Sequence, residues 1–132
     1  MQPIIFLVTL DKTQHPPVLD VFQKNGVNEV DRNTNQQEIE WQLAGNAKKG
    51  FFLDPGNPTA RGFEWLGTTP KDGVFSDAKK APRWRLTMTD LHDSASSAGR
   101  YDYRLRAVVD GVEYQSGSAA AGRPTDPAII NK

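Results

Sequence analysis

The stretch from Ala98 to Gly117, AGRYDYRLRAVVDGVEYQSG, constrains the fold of this chain more than any other part of the sequence. Apolar residues recur at every second position up to an Asp-Gly pair, and the alternation then resumes. Successive side chains of a β-strand point to opposite faces, so this period predicts a half-buried strand. The predicted inner face carries Tyr101, Tyr103, Leu105, Ala107 and Val109. The predicted outer face carries Arg100, Asp102, Arg104, Arg106 and Val108.

The Asp-Gly pair at 110–111 predicts a two-residue hairpin loop of type I′. Both residues of such a loop need a positive φ, which glycine adopts freely and aspartate tolerates better than most residues. The loop sets the strand pairing, with Val109 opposite Val112 and Ala107 opposite Tyr114. A slip of one residue would turn the whole inner face towards water.

Similar alternation recurs along the chain, and no segment keeps a helical apolar period over several turns. The clearest runs lie at 3–10, 17–22, 37–43, 62–67 and 83–91. Trp41 and Trp84 alternate with polar residues in two of these runs, so both are predicted to lie in the core. The pattern predicts an all-β fold of short strands joined by turns that contain Gly and Pro.

The composition limits the classes of partner. Lys and Arg together number 16, as do Asp and Glu, so the formal net charge is zero. Proteins that wrap nucleic acid or bind anionic lipid usually carry a basic excess, so neither partner is expected. The absence of cysteine excludes disulfides, thiolate metal sites and cysteine nucleophiles. The chain starts without a basic segment, and its first apolar run is too short for a signal peptide or a membrane span, so a cytoplasmic location is expected.

The segment WRLTMTDLHDSASSAGRYDYRL, at 84–105, resembles the region between strands E and F of immunoglobulin-like sandwiches. In those domains a strand ending L-x-h-x-x-L, where h is apolar, leads through an acidic loop and a small residue to Tyr-x-Cys. The matching residues here are Leu86, Met88, Leu91, Asp93, Gly99 and Tyr101. Tyr103 stands at the cysteine position, and Trp41 resembles the core tryptophan of strand C.

The resemblance implies an immunoglobulin-like antiparallel β-sandwich of the early-set type, with about seven to nine strands. It implies that the Tyr101 hydroxyl bonds back to the backbone near Asp93, and that apolar side chains replace the missing disulfide. It also implies one sheet that contains the strands at 37–43, 100–109 and 112–116. More narrowly, the length, the Tyr-x-Tyr strand, the Asp-Gly hairpin and the tail DPAIIN at 126–131 resemble the small bacterial DP-EP family, which implies a fold and no activity.

Two groups of side chains are candidate binding residues. Phe63 and Trp65 alternate in the run 62–67, and an exposed Trp65 would stack on a sugar ring or fill a groove of a partner. The second group is Arg100, Arg104 and Arg106. In the expected sheet their neighbours would be Glu38, Glu40 and Gln42 on one side and Glu113 and Gln115 on the other. We favour a core position for the aromatic pair and a structural ladder of charge pairs for the arginines, with binding roles as the alternatives.

No catalytic, metal or cofactor site is expected. His15 and His92 are the only histidines, they show no ligand spacing, and both are predicted to be exposed loop residues. His92, Asp93 and Ser94 are adjacent, but neighbouring side chains diverge and do not converge on one atom. The chain also lacks a nucleophile elbow and a phosphate-binding glycine loop.

We therefore expect one domain over residues 1–132, with a flexible stretch at 116–123 before a C-terminal tail or strand. The expected function is a non-enzymatic protein-interaction module, with self-association as a homodimer among its forms. The alternative is a β-sandwich that binds carbohydrate or another small ligand through Trp65, Phe63 and nearby loops. An exposed Trp65 flanked by polar side chains favours the sugar ligand, and a buried Trp65 under a flat, partly apolar sheet face favours a protein.

Overall fold

A computed structural model of the chain describes residues 2–23, 28–67, 69–117 and 127–132. Within these residues eleven strands form two sheets, with short 3₁₀ turns at Gly45–Ala47 and Ala95–Ser97. The strands are β1 (Ile4–Asp11), β2 (Val18–Gln23), β3 (Glu29–Val30), β4 (Gln37–Leu43), β5 (Phe51–Phe52), β6 (Phe63–Trp65), β7 (Lys79–Lys80), β8 (Arg85–Asp90), β9 (Gly99–Val109), β10 (Val112–Gln115) and β11 (Ala128–Asn131). This part of the chain contains no helix long and apolar enough to cross a membrane.

The prediction of an all-β sandwich is confirmed. Eight of the described strands have three or more residues, within the expected range, and the other three, β3, β5 and β7, have two. Two pairings are parallel, β1 with β4 and β3 with β11, so the sheets are mixed rather than purely antiparallel. One hydrophobic core with side chains from both sheets lies between them.

The two sheets divide the strands differently from the expectation. The first sheet has the order β2-β1-β4-β8-β7. In the second sheet β9 is central: β5 and β6 pair along one edge, and β10 and β11 along the other, with β3 beside β11. The expectation that 37–43 and 100–109 share a sheet is therefore wrong, whereas the pairing of β9 with β10 is confirmed. The alternation of 37–43 predicts which face of the strand is buried. It does not predict which of the two sheets contains the strand, because both sheets face the same core.

The hairpin between β9 and β10 has the predicted geometry. Asp110 has a φ of 53° and Gly111 a φ of 79°, as a type I′ loop requires. The register places Val112 opposite Val109, and Tyr114 opposite Ala107. The inner face of β9 is therefore set by the turn.

Trp41 and Tyr103 join the two sheets across the core. Trp41 lies on β4 and Tyr103 on β9, and neither side chain is exposed to solvent. The Trp41 indole Nε1 donates a hydrogen bond to the Tyr103 hydroxyl oxygen at 2.9 Å. Phe6 and Phe63 pack on the Trp41 ring at centroid distances of 5.7 and 5.2 Å. Trp41 thus lies in the core as predicted, but not at the strand C position, because strand C shares a sheet with strand F, the strand that β9 resembles.

The prediction that Trp84 lies in the core is wrong. Its side chain is 40% exposed, whereas Leu86 and Met88, which follow it on β8, are buried as predicted. The Leu43 amide donates to the Trp84 carbonyl oxygen at 3.0 Å, so Trp84 pairs with the last residue of β4. Trp84 has the same place in the alternation as the inward residues Leu86 and Met88. Its side chain lies at the end of the sandwich, however, where the second sheet does not cover it fully.

The end of the chain forms the predicted last strand, β11, which pairs with β9. Ser116 and Gly117, the first two residues of the stretch expected to be flexible, are buried. The Leu105 amide donates to the Ser116 hydroxyl oxygen at 2.8 Å. The rest of that stretch, 118–123, lies outside the described residues.

Tyr103→Phe is expected to lower the free energy of unfolding by about 1–3 kcal/mol, because the buried Trp41 N–H loses its acceptor. Urea denaturation measures this change. The matched control is Tyr114→Phe, which removes the hydroxyl of a half-buried tyrosine on β10 and is expected to change the same quantity by less than about 0.5 kcal/mol. Equal losses in the two variants would contradict a structural role for the bond.

Candidate functional site

Aromatic rings accumulate where β6 pairs with the first half of β9. The register places Phe63 opposite Leu105 and Trp65 opposite Tyr103, so both β6 rings point towards the interior. Phe63 is 6% exposed and is a core residue, as favoured from the sequence, whereas Trp65 is half-buried at the margin of the core. The position of Trp65 is therefore intermediate between the two predicted alternatives.

Phe75 completes this cluster, and sequence reasoning missed it. A bridge to Asp90 and a hydrogen bond from the Ser76 amide to the Thr89 carbonyl oxygen, at 3.0 Å, hold the segment around Phe75 against the end of β8. The Phe75 and Trp65 rings lie 4.7 Å apart between centroids. The Phe75 ring packs edge-on against Tyr101 at 5.2 Å. We call the half-buried rings of Trp65, Phe75 and Tyr101 the aromatic shelf.

Two hollows meet at the aromatic shelf. The first has a volume of about 390 Å³ and the second about 430 Å³. Both are lined by Trp65, Phe75, Ser76 and Asp77. The first also takes in Arg61 and Glu64, and the second Thr69, Lys71 and Asp72. Each hollow therefore combines aromatic surface with hydrogen-bonding and charged groups of both signs.

This combination suits a small ligand that has an apolar face and a polar rim. Volumes near 300–1,000 Å³ are typical of small-molecule sites, which need apolar surface and a few polar groups that fix orientation. The ring of Trp65 packs edge-on against Phe63 at 4.9 Å and against Tyr103 at 6.4 Å. Since core rings hold it on two sides, the shelf is pre-formed, and little side-chain entropy is lost when a ligand binds.

The candidate arginines on the outer face of β9 bond within the fold. The Arg106 guanidinium donates to the Glu64 carboxylate on β6 at 2.7 Å, with side chains 16% and 31% exposed. Arg100 donates to Asp102 at 2.9 Å on the exposed surface. Arg104 lies opposite Glu64 in the register, is half-buried and also has an interaction partner. These contacts match the structural ladder better than a patch of free cations.

The prediction of which acidic residues neighbour these arginines is wrong for one of the two sides of β9. Glu38, Glu40 and Gln42 lie on β4 in the other sheet, and Glu40 contacts Arg85 there at 3.8 Å. β6 occupies the expected place of β4 and supplies Glu64. On the other side the assignment is confirmed, because β10 places Gln115 opposite Arg106.

A buried polar cluster lies at the turn between β8 and β9. His92, predicted as an exposed loop residue, is fully buried, so that prediction is wrong, whereas His15 is exposed as predicted. The His92 Nδ1 lies 2.6 Å from the Ser97 hydroxyl oxygen, and its Nε2 bonds to the Lys132 carbonyl oxygen. The sequence around His92 gave no signal of burial, because its two bonds come from Ser97 and Lys132, which only the folded turn and β11 bring near.

The Tyr101 hydroxyl bonds back to the backbone, as the resemblance implied, but to a later residue. It donates to the Ser97 carbonyl oxygen at 3.0 Å rather than to the backbone near Asp93. The 3₁₀ turn at Ala95–Ser97 brings this carbonyl towards the ring. Burial raises the pKa of Tyr101, and the negative charge of Asp90 adds to the effect.

Asp90 is the unusual member of this cluster. Its side chain is fully buried, and its Oδ1 accepts a hydrogen bond from the Asn131 amide at 3.1 Å. Among the described residues, no group pairs with the other carboxylate oxygen of Asp90 or with the Asn131 amide oxygen. Burial raises the pKa of Asp90 to about 6, against the opposing effects of the Asn131 bond and the charge of His92. With His92 and Ser97 also enclosed, the cluster offers no surface to a substrate.

Within the described ranges, no three or more His, Asp or Glu side chains are grouped so that they could hold a metal ion. Comparison with known proteins finds no family model and no curated protein that matches the chain. The site is therefore interpreted from its own geometry.

The ionised Asp90 is expected to destabilise the fold as the pH rises. Its pKa lies above its ordinary value of 3.8, so the folded chain binds this proton more tightly than the unfolded chain. The resulting stabilisation is complete below about pH 4 and is lost as the pH rises through about 6. Asp90→Asn keeps the shape, carries no charge and can donate to the unpaired oxygen of Asn131. Its free energy of unfolding, relative to the unmodified chain, should rise by about 2–3 kcal/mol between about pH 4 and pH 8.

Urea denaturation at a series of pH values measures this difference. Asp93→Asn, which removes a charge from the exposed loop after β8, is the matched control and should give a difference that stays nearly constant with pH. A difference for Asp90→Asn that stays constant or falls as the pH rises would contradict the role of burial.

Proposed function

We propose that the chain is a non-enzymatic binding module that takes a carbohydrate, or a polar ring compound of similar size, on the aromatic shelf. The observation that carries this proposal is the half-buried Trp65, which lies between two hollows with polar rims. This arrangement is closer to the geometry that favours a sugar ligand than to a buried ring under a flat apolar face.

The chemistry of the shelf supports a sugar in particular. A pyranose ring presents C–H groups on its faces and hydroxyl groups at its edge, and the negative face of an indole attracts the former. Asp77 and Ser76 border both hollows and are exposed. The Asp77 carboxylate can accept hydrogen bonds from hydroxyl groups at the sugar's edge. The Ser76 hydroxyl oxygen accepts a bond from the Thr89 amide at 2.9 Å and keeps its own hydrogen to donate. Glu64 and Arg61 line the first hollow, where Arg106 holds Glu64 in place.

The absence of catalysis is part of the proposal. His92, Ser97 and Asp90 are enclosed in the polar cluster, and the two nitrogens of His92 are both engaged. The carboxylates that line the two hollows, Glu64, Asp72 and Asp77, have no histidine among the other lining residues. General acid–base catalysis works best with a group of shifted pKa within reach of the substrate. Among the described residues, the carboxylate whose pKa is raised is Asp90, and it lies in the interior.

A protein-interaction function is the second proposal. Three large apolar side chains are exposed among the described residues: Phe22 at 46%, Trp84 at 40% and Val112 at 49%. They lie apart from the aromatic shelf, and exposed aromatic side chains are frequent anchors of interfaces.

Self-association stays a prediction from the sequence. Two of the described edge strands do not favour it by strand pairing, because β3 and β7 have two residues each and β7 consists of Lys79 and Lys80. Short edges and edge lysines disfavour pairing with another chain. At the other end of the first sheet β2 bridges the second sheet through Leu19 and Ser116.

Other expectations from the sequence also remain proposals. The bond from Tyr101 to the preceding turn supports an immunoglobulin-like relationship, whereas the position of β4 in the sheet opposite β9 argues against a simple one. Membership of the DP-EP family rests on the sequence resemblance alone. The cytoplasmic location, and the expectation of neither a nucleic-acid partner nor a cofactor, rest on composition and motifs.

Trp65 is expected to be essential for ligand binding. A glycan array identifies the ligand, and isothermal titration then compares variants. Trp65→Leu removes the aromatic face and should weaken binding by about tenfold or more, since loss of a buried aromatic contact typically costs more than 1 kcal/mol. Trp65→Phe, which keeps a ring packed on Phe63 and Phe75, should recover part of the affinity.

The matched control for these variants is Trp84→Leu, which removes the exposed tryptophan at the other end of the fold and should leave the ligand affinity unchanged. A blank array, or a sugar that binds Trp65→Leu as tightly as the unmodified chain, would exclude the shelf as a sugar site.

A further inference from the structure

A basic surface lies at the end of the sandwich where Trp84 is exposed. The segments 44–53 and 78–86 together contain six Lys and Arg residues and neither Asp nor Glu. The fold joins them, because the Phe52 amide donates to the Arg83 carbonyl oxygen at 2.9 Å and Lys80 Nζ donates to the Phe52 carbonyl oxygen at 3.2 Å. Four of these six, Lys48, Lys49, Lys80 and Arg83, lie in or beside the two joined stretches and do not pair with a described carboxylate.

We call Lys48, Lys49, Lys80, Arg83 and Trp84 the basic corner. All of these residues except the half-buried Lys80 are exposed. In the part of the chain that the structure describes, no carboxylate pairs with Lys48, Lys49 or Arg83. The Arg83 guanidinium lies 5.8 Å from the centre of the Phe51 ring, a stacking contact that holds its planar donors in place.

The acidic residues around the basic corner limit the size of the anion that fits it. Glu40 is buried and contacts Arg85 at 3.8 Å. Asp54 follows β5, and Asp110 lies in the hairpin after Val108, the residue that pairs with Phe51. Both aspartates are exposed, so negative charge borders the cations on two sides.

We infer that the basic corner is a docking surface for a short acidic segment of a partner protein that also carries an apolar side chain. Carboxylates of the segment would pair with Lys48, Lys49 and Arg83, and its apolar side chain would cover the ring of Trp84. The inference rests on the protein-interaction function and is independent of the aromatic shelf.

The chemistry favours a short segment over an extended polyanion. A nucleic-acid strand or an anionic membrane would extend past the cations and over Asp54 and Asp110, where like charges repel it. Exposed charges interact appreciably over about 8 Å at physiological salt, so negative charge at the border of the cations disfavours a long polyanion more than a short peptide. A peptide of a few residues contacts the cations alone. The zero net charge of the chain also removes the long-range attraction on which polyanion binding depends.

Selection from a phage-displayed library of random 16-residue peptides tests this inference. The unmodified chain is the target, and Lys48→Glu/Lys49→Glu is the counter-selection target. Selected peptides should carry an excess of Asp and Glu together with at least one large apolar residue. In fluorescence anisotropy they should bind the counter-selection variant at least about tenfold more weakly, and binding should weaken as salt rises.

A second variant, Trp84→Ala, separates the apolar contact from the charges and should also weaken binding. Two controls should bind the peptides as the unmodified chain does. Val112→Ala truncates another exposed apolar side chain, and Lys71→Glu reverses an exposed lysine beside the aromatic shelf. Trp65→Leu should likewise keep peptide binding, so loss of the sugar site and loss of this site are distinguishable.

Three outcomes would overturn the inference. One is a selection that yields no acidic peptides, and another is acidic peptides whose affinity is the same for the unmodified chain and the basic-corner variants. The third is tighter binding, in the same assay and dependent on Lys48 and Lys49, of a 12-nucleotide oligothymidine or of phosphatidylserine vesicles, which would assign the surface to nucleic acid or to a membrane.

Discussion

The contact between Trp41 and Tyr103 is the interaction on which the rest of the structure depends. It joins the centre of one sheet to the central strand of the other through rings packed edge to face and a buried hydrogen bond. Once Tyr103 points inward, the alternation of β9 directs its arginines outward and its apolar residues into the core. Because β6 pairs with β9 in a fixed register, the same constraint places Trp65 opposite Tyr103, at the margin of the core.

The arginines of β9 and the aromatic shelf differ as candidate binding surfaces. The fold neutralises the arginines with acidic partners, whereas it leaves one side of the aromatic shelf open. The arginines of β9 find Glu64 and Asp102 as partners, so their charges are largely used within the sheet. The aromatic shelf has its core side packed and its outer side free, between two hollows. A rigid aromatic surface bordered by polar groups is suited to binding, since little of the site has to be ordered when a ligand binds.

Strong local patterns were sufficient to predict the longer strands, the hairpin register and the inner face of β9. The sequence could not show which sheet contains β4. The alternation of β4 fits a strand in either sheet, because both sheets pack on the same core. The core position predicted for Trp84 was wrong for a related reason. Alternation along a strand gives the direction of a side chain, but it does not show where the opposite sheet ends. Phe75 and the Asp90–Asn131 contact were missed because residues distant in sequence create them. Of the aromatic residues at the candidate site, the sequence identified Phe63 and Trp65 as binding candidates and did not identify Phe75.

The most direct test of the central claim is the NMR response of the three tryptophan indole N–H signals to a ligand from the glycan array. The account predicts that the Trp65 signal shifts in proportion to saturation. The Trp41 signal, enclosed and bonded to Tyr103, and the Trp84 signal, at the far end of the fold, should keep their positions. A shift of Trp84 with Trp65 unmoved, or no shift in any of the three, would contradict the aromatic shelf as the ligand site.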